Sequence, residues 1–271
     1  RFGSSRFLRN ICQTVRQYIQ PNTDMAALEE EATEATATVE ENAPPAPMAR
    51  VLSFVDGGSD NLSLYVDTFK PMTERTAEGK KALVKGWRMA DPNGNGICSL
   101  AELDSFVKNM LITVNGRVQG TAIFKLFRPS IIRAYYDAKD YKADDGTNIA
   151  GTSSTADDFV SKGEFKLFVG YAVIYAAMYD GFSTLDGYGE GRESDDRRVD
   201  LDEWLAGYEH LISYGFVAFE GITDAEMATA VFHSIDSNGG GYVMLNEYCA
   251  YVKDAEITNN TALGALLAAE E

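Results

Sequence analysis

The chain has 271 residues, a formal charge of −17 at pH 7 and a pI of about 4.5. This length allows one large or two modest domains with a buried core, and the acidic balance argues against a nucleic-acid partner. No apolar run approaches the roughly 20 residues that a membrane-spanning helix needs. The three cysteines, Cys12, Cys98 and Cys249, are too far apart for a disulfide framework or a zinc site.

Residues 1–23 form a basic segment with four arginines and no acidic residue. Apolar residues recur in it at helical spacing and Pro21 ends the pattern, which predicts a short basic amphipathic helix. Three interpretations stay open: an organelle-targeting remnant, a helix that contacts a partner or a membrane surface, and an ordinary helix packed on its own domain. The acid-free, arginine-bearing composition favours a mitochondrial location.

Residues 24–50 are acidic and rich in Ala and Pro, and this composition predicts a linker. The segment has too little apolar surface to order itself, so an ordered state would require a partner that holds it. This favours a subunit of a larger protein assembly, contacted through residues 1–50. Residues 51–73 look like a folded lead-in, to which the sequence assigns no role.

Residues 91–102 read Asp-Pro-Asn-Gly-Asn-Gly-Ile-Cys-Ser-Leu-Ala-Glu. Oxygen-bearing side chains stand at positions 1, 3, 5 and 9, glycine at position 6 and glutamate at position 12, between two helical patterns. This is the pattern of an EF-hand calcium loop, in which Gly96 permits the sharp turn. The predicted Ca²⁺ ligands are the side chains of Asp91, Asn93, Asn95, Ser99 and Glu102 and the carbonyl oxygen of Ile97.

Residues 236–247 repeat the loop in shape, between apolar helical flanks. Gly240 at position 5 and Met244 at position 9 offer no side-chain oxygen, which predicts a weak or empty site. Its candidate ligands are Asp236, Asn238 and Glu247, with the carbonyl oxygen of Tyr242.

Two further glutamates close helix–loop–helix patterns whose loops are longer than the standard twelve residues. Glu203 ends a loop that starts at Asp186 and has eighteen residues. Glu164 ends a loop whose predicted start is Asp137, which makes twenty-eight residues. Both units are expected to keep the helices and to lose the standard set of ligands.

The four units are expected to form two pairs, each joined by a short two-stranded contact at loop position 8. The predicted contacts are Cys98 with Val160 and Val199 with Val243, and in this position Cys98 would be a buried thiol rather than a reactive one. The expected organisation is EF-hand pair 1 over residues 74–180, EF-hand pair 2 over residues 181–256 and a C-terminal tail over residues 257–271.

Over roughly residues 75–253 the chain resembles the flagellar calcium-binding proteins, the calflagins. The resemblance lies in Asp-Asp-Phe-Val at 157–160 with Gly-Glu-Phe at 163–165, in the apolar helix 168–182, and in Ile-Thr-Asp-Ala at 222–225 leading to Ile-Asp-Ser-Asn-Gly at 235–239. It implies four EF-hand units and a calcium sensor that controls membrane association, in the cytoplasm or the flagellum. The third loop of this chain is expanded, the fourth lacks its position-5 oxygen, and residues 1–4 lack the acylation signal of the family. The membrane switch is therefore not expected here.

These observations predict an all-α protein with two EF-hand pairs behind a basic helix and an acidic linker. The two histidines, His210 and His233, lie in helical patterns, and the glycine-rich stretch 187–191 follows no strand, so no catalytic site is expected. The leading interpretation is a Ca²⁺-binding, non-catalytic accessory or scaffold subunit. The alternative is a reversible calcium sensor or buffer that exposes an apolar surface to a target when Ca²⁺ rises.

Overall fold

The structure, a computed structural model, describes residues 58–74, 76–139, 158–186, 197–261, 264 and 267. Over these residues the chain is mostly helical, which agrees with the predicted all-α class. The predicted basic helix and acidic linker, residues 1–50, lie outside the described residues. The elements are α1 (Asp60–Thr73), α2 (Ala77–Ala90), β1 (Ile97–Cys98), α3 (Leu100–Asn115), α4 (Arg117–Lys139), β2 (Val160–Ser161), α5 (Phe165–Leu185), β3 (Arg198–Val199), α6 (Leu201–Ile212), a 3-10 turn (Val217–Phe219), α7 (Ala225–Ile235), β4 (Val243–Met244) and α8 (Leu245–Thr258).

Among the described residues, four short strands form two antiparallel pairs, β1 with β2 and β3 with β4. Cys98 lies opposite Val160, and Val199 lies opposite Val243. All four side chains are small and apolar, and all four are fully buried where the paired strands meet. The predicted register of both pairs is confirmed.

The chain divides into two compact units, and the division falls within α5, between Tyr175 and Ala176. The boundary predicted from the sequence, between residues 180 and 181, lies a few residues later in the same helix. The N-terminal unit contains the described residues from 63 to 175, and the C-terminal unit contains residues 58–62 and the described residues from 176 onward. Helix α5 is buried along most of its length, as expected for a helix that is apolar on all sides.

Aromatic side chains from three helices meet in the core of the N-terminal unit. Trp87 of α2 and Phe106 of α3 each pack edge-on against Phe165 of α5, with ring centroids 5.4 Å apart in both contacts. Such edge-to-face arrangements place the positive ring edge against the negative ring face. The helices on either side of residues 91–102 are therefore anchored in one shared cluster.

Helices α3 and α4 pack closely after a tight turn at Gly116, where φ is +79°. Gly120 lies in the first turns of α4, and a Cβ atom added there would lie 2.4 Å from the carbonyl oxygen of Leu111. The backbones of the two helices approach closely at this point because Gly120 has no side chain. An ion pair of 2.8 Å between Arg128 and Asp104 joins the same two helices further along.

In the C-terminal unit, the buried carboxylate of Asp180 on α5 connects two other segments. It accepts hydrogen bonds from the backbone N–H of Ser59 at 2.8 Å, from the hydroxyl of Ser59 at 2.5 Å and from the hydroxyl of Tyr214 at 2.7 Å. Burial, and then the charge of Asp180, raise the pKa of Tyr214, so the phenol keeps its proton and donates. The carboxylate thereby connects residue 59 with α5 and Tyr214 within the C-terminal unit.

The predicted start of the second loop at Asp137 is wrong. Helix α4 continues to Lys139, and Ala138 in its last turn is fully buried. The carboxylate of Asp137 accepts a hydrogen bond from the hydroxyl of Tyr175 on α5. Asp137 therefore connects two helices of the N-terminal unit and does not open a loop.

Candidate metal centre

The loop between α2 and α3 contains the six residues that were predicted as Ca²⁺ ligands. Gly94 and Gly96 have φ values of +70° and +84°, in the left-handed region that favours glycine. An added Cβ atom at either position would meet nothing within 4 Å, so the requirement for glycine is one of backbone conformation and not of space. The turning role predicted for Gly96 is confirmed.

Asp91, at the end of α2, is 8% exposed and organises the first half of the loop. Its Oδ1 accepts the backbone N–H of Asn95 at 3.1 Å, and its Oδ2 accepts that of Gly96 at 2.9 Å. Each bond is charge-assisted, because a carboxylate is the acceptor. The chain therefore curls around this carboxylate.

Glu102, in the first turn of α3, closes the second half of the loop. Its Oε2 accepts both the backbone N–H and the hydroxyl of Ser99 at 2.8 Å, while the Ser99 hydroxyl accepts the backbone N–H of Glu102. This reciprocal arrangement is a capping box, which satisfies backbone donors at the start of a helix. The end of the loop and the start of α3 are thus fixed by one side-chain pair.

Asn93 connects the two halves of the loop. Its Nδ2 donates to Oε1 of Glu102 at 2.8 Å, and its Oδ1 accepts the backbone N–H of Asn95 at 2.9 Å. The Oδ1 of Asn95 in turn accepts the backbone N–H of Ile97 at 3.0 Å. A continuous chain of hydrogen bonds therefore runs from the carboxylate of Asp91 to the carboxylate of Glu102.

The residues present fit a hard divalent cation. Residues 91–102 carry two carboxylates and no basic residue, and their remaining candidate donors are amide, hydroxyl and carbonyl oxygens, which are the ligands that Ca²⁺ prefers. The charge of the loop also acts on the buried thiol of Cys98, whose pKa rises to about 12 through burial first and then through Asp91 and Glu102. Asn93 and Asn95 are both exposed to solvent.

The loop of residues 236–247 repeats two parts of this hydrogen-bond pattern. The carboxylate of Asp236 accepts the backbone N–H groups of Gly240 at 3.0 Å and Gly241 at 2.9 Å. Asn238 donates its side-chain amide to Oε1 of Glu247, as Asn93 does to Glu102 in the first loop.

The loop of residues 236–247 differs from that of residues 91–102 in its oxygen donors. The φ of Gly241 is +80°, so position 6 has the same backbone conformation as in the first loop. Positions 5 and 9 offer no side-chain oxygen, as the sequence predicted, and the side chains of Tyr242 and Met244 are both exposed. The backbone frame is thus retained where the ligand set is reduced.

The four glutamates that were identified as loop ends have the same role in all four units. Each accepts, on its carboxylate, the backbone N–H of the residue three positions earlier. The donors are Ser99 to Glu102 at 2.8 Å, Ser161 to Glu164 at 2.8 Å, Asp200 to Glu203 at 3.0 Å and Met244 to Glu247 at 3.0 Å. The register assigned to the two expanded loops is therefore the same as in the two compact ones.

The expanded loop that ends at Glu203 keeps a contact that sequence analysis missed. The backbone N–H of Arg197 donates to Oδ2 of Asp186 at 3.0 Å, and Arg197 has a φ of +62°. Counted back from Glu203, Arg197 occupies position 6, where the compact loops have glycine. The contact between positions 1 and 6 therefore persists across the insertion. Counting back from Glu203 would have located position 6 in the sequence, but the arginine there does not resemble the glycine of the compact loops.

Within the part of the chain that the structure describes, no group of three or more His, Cys, Asp or Glu side chains could hold a metal ion. Residues 91–102 do not meet that description because they combine only two carboxylates with neutral oxygen donors. None of the described helices is both long enough and apolar enough to cross a membrane. No protein-family model matches the chain, and no curated protein matches it in sequence.

Proposed function

We propose that the chain is a calcium-binding EF-hand protein whose principal site is residues 91–102. The observation that supports this most is the chain of hydrogen bonds that joins Asp91 to Glu102 through Asn95 and Asn93. It links the two carboxylates of one loop through the side chain of Asn93 and the backbone N–H of Asn95. The ligands would be Asp91, Asn93, Asn95, Ser99 and Glu102 with the carbonyl oxygen of Ile97.

We further propose that the four helix–loop–helix units form two EF-hand pairs. The strand contacts of Cys98 with Val160 and of Val199 with Val243 support this pairing. The hydrogen bonds that residues 91–102 and 236–247 have in common support the same type of loop in both units. On this proposal residues 236–247 form a weak or empty loop, because the frame is present and two oxygen donors are missing.

The proposed site is expected to be weak for its class. EF-hand affinities span dissociation constants from about 10⁻⁹ M to about 10⁻³ M and depend on ligand charge and on the rigidity of the site. With Asp91 and Glu102 as the only carboxylates, we expect a dissociation constant on the order of 10⁻⁵–10⁻⁴ M. In addition, Asn93 must turn its amide oxygen inward and give up its hydrogen bond to Glu102, which weakens binding further.

Calorimetric titration of Ca²⁺ into the full chain tests the site, with Glu102→Gln as the principal variant. Glutamine can still accept the backbone N–H of Ser99, so the capping box and the start of α3 are retained. The substitution removes one of the two charged ligands. We expect the binding heat of this site to disappear while the helical circular dichroism stays unchanged.

Glu247→Gln is the matched control, because it makes the same change at the same position of the loop with fewer donors. We expect it to leave the main binding event intact. Unchanged binding after Glu102→Gln, or loss of binding only after Glu247→Gln, would place the principal site elsewhere. No binding heat in the unaltered chain at millimolar Ca²⁺ would refute the calcium proposal.

We propose that the protein acts as a non-catalytic accessory or scaffold subunit of a larger assembly. Two observations support a non-catalytic role: His210 and His233 are exposed on helices, and Cys98 and Cys249 are buried. The linker-like composition of residues 24–50 is the sequence feature that favours a larger assembly. A sensor would expose apolar surface when Ca²⁺ is added. Dye binding that rises with Ca²⁺ would therefore favour the sensor, and a constant low signal would favour the accessory role.

A further inference from the structure

Helix α1 places one apolar face on the core of the N-terminal unit. Tyr65, Val66, Phe69 and Met72 are each at most 6% exposed, whereas Asp67 on the opposite side is exposed. The four buried residues follow one another at intervals of one, three and three, which is the spacing of a single helix face. An amphipathic helix that presents such a face to an apolar groove is a common mode of peptide recognition.

The groove that receives α1 is formed by the three helices that follow it. The ring of Tyr65 lies 5.1 Å from that of Phe127 on α4, and the ring of Phe69 lies 6.3 Å from that of Phe106 on α3, measured between centroids. A Cβ atom added to Gly86 of α2 would lie 2.6 Å from Sδ of Met72, so the missing side chain of this glycine makes room for Met72.

A polar contact links α1 to the end of α3. The side-chain amide of Asn115, the last residue of α3, donates to the hydroxyl of Thr68 at 3.1 Å. Thr68 is 3% exposed, and its hydroxyl donates to the carbonyl oxygen of Leu64 at 2.7 Å. Because buried polar groups need partners, this contact disfavours a shift of the helix along the groove.

Two features weaken the attachment of α1. The hydroxyl of Tyr65 is fully buried and has no hydrogen-bond partner among the described residues, which is unfavourable because the group loses its contact with water. Pro71 lies inside the helix and has no N–H to donate to the preceding turn. Phenylalanine at position 65 would fill the same space without that cost.

We propose that α1 is an intramolecular ligand of the N-terminal unit, which occupies a groove built to bind an amphipathic helix and can be replaced there by the same helix supplied in trans. None of the residues that contact α1 belongs to residues 91–102, so the occupancy of the groove does not depend on calcium binding. Helix α1 lies in the segment of residues 51–73, to which the sequence assigns no role. A groove filled by the chain itself is closed to partners until α1 leaves.

The test measures the binding of a fluorescent synthetic peptide of residues 58–74 to the full chain by anisotropy, in the presence of a calcium chelator. The recipient is the double variant Tyr65→Ala, Phe69→Ala, in which the internal helix has lost both aromatic anchors. We expect the peptide to bind this variant and not the unaltered chain. A peptide with the same two alanines should bind at least about 100-fold more weakly, because each aromatic side chain contributes strongly when buried.

A peptide with Tyr65→Phe should change the affinity in the opposite direction, which makes it a sharper test. It should bind about tenfold more tightly than the natural peptide, because it removes the unpaired hydroxyl and keeps the ring. Absence of peptide binding to a double variant that retains its helical circular dichroism would overturn the proposal. Equal affinities of the natural and the double-alanine peptide would also overturn it.

Hydrogen exchange of the unaltered chain decides the question independently of whether the double variant folds. If α1 is a replaceable ligand, the amides of residues 63–73 exchange through an opening that leaves those of α3 protected. If α1 is an integral part of the fold, both helices exchange together with one free energy of opening, and the proposal is wrong.

Discussion

Arg197 has a backbone conformation that favours glycine, and its replacement by glycine should stabilise the C-terminal unit. Its φ of +62° corresponds to those of Gly96 and Gly241, which are +84° and +80° at the same loop position. The backbone N–H of Arg197 holds the carboxylate of Asp186, and its side chain is exposed. The left-handed conformation is therefore imposed by the loop and not by contacts of the arginine side chain.

The expected size of the effect follows from two opposing terms. A residue with a side chain in the left-handed region is disfavoured by roughly 1–2 kcal/mol. Glycine avoids this cost but loses about 0.5–1 kcal/mol more conformational entropy on folding. Arg197→Gly should therefore raise the free energy of unfolding by about 0.5–1 kcal/mol. The reverse change, Gly241→Ala, should lower it by about 1 kcal/mol, since an added Cβ atom meets nothing within 4 Å and only the backbone is strained.

The chain offers a fluorescent probe for each unit, because Trp87 lies in the N-terminal unit and Trp204 in the C-terminal unit. In a Trp87→Phe background, urea unfolding followed by fluorescence reports the stability around Trp204. That indole is fully buried and donates to the carbonyl oxygen of Ala228 at 2.8 Å, so its emission should change strongly on unfolding. All variants are compared in this background.

Opposite signs for Arg197→Gly and Gly241→Ala would support the equivalence of the two loop positions. A loss of stability after Arg197→Gly would show that the arginine side chain makes a stabilising contact, and the argument from backbone strain would then be wrong. A neutral result for Gly241→Ala would show that position 6 tolerates a side chain in this fold. Gly96→Ala, followed by Trp87 in a Trp204→Phe background, repeats the test in the N-terminal unit.

The strand register and the ends of the loops could be predicted from the sequence because they depend on local rules. A glutamate at position 12 and a small apolar residue at position 8 each have a physical role that fixes their spacing. The pairs of Cys98 with Val160 and of Val199 with Val243 follow from that spacing alone. The frame of residues 91–102 was predictable for the same reason.

The features that the sequence concealed depend on contacts between distant residues. The hydrogen bond from Arg197 to Asp186 spans an insertion, and an arginine stands at the loop position where the compact loops have glycine. Asp137 looks like a loop start because it follows an aromatic residue, yet its carboxylate accepts from Tyr175 in another helix. The role of α1 likewise requires knowledge of the groove, since its apolar spacing alone is that of any helix packed on a core.

Two further substitutions test the packing of each unit. Gly120→Ala should destabilise the N-terminal unit by about 3 kcal/mol or more, because the new Cβ would lie 2.4 Å from the carbonyl oxygen of Leu111, a backbone atom that cannot rotate away; loss of less than 1 kcal/mol in Trp87-monitored unfolding would contradict the close approach of α3 and α4. In the C-terminal unit, burial raises the pKa of Glu256 above the ordinary glutamate value of 4.5, although hydrogen bonds from Thr261 and the backbone N–H of Val217 oppose the shift. Because the pKa of Glu256 is raised in the folded state, the protonated carboxyl group stabilises the fold at pH values below the ordinary pKa of 4.5. This stabilisation is lost as the pH rises through the pKa of the folded state. Glu256→Gln does not titrate, so its free energy of unfolding relative to the unaltered chain should increase as pH rises above 4.5 and then level off. A difference that does not change with pH, or one that decreases, would show that the buried carboxylate is ionised at no cost.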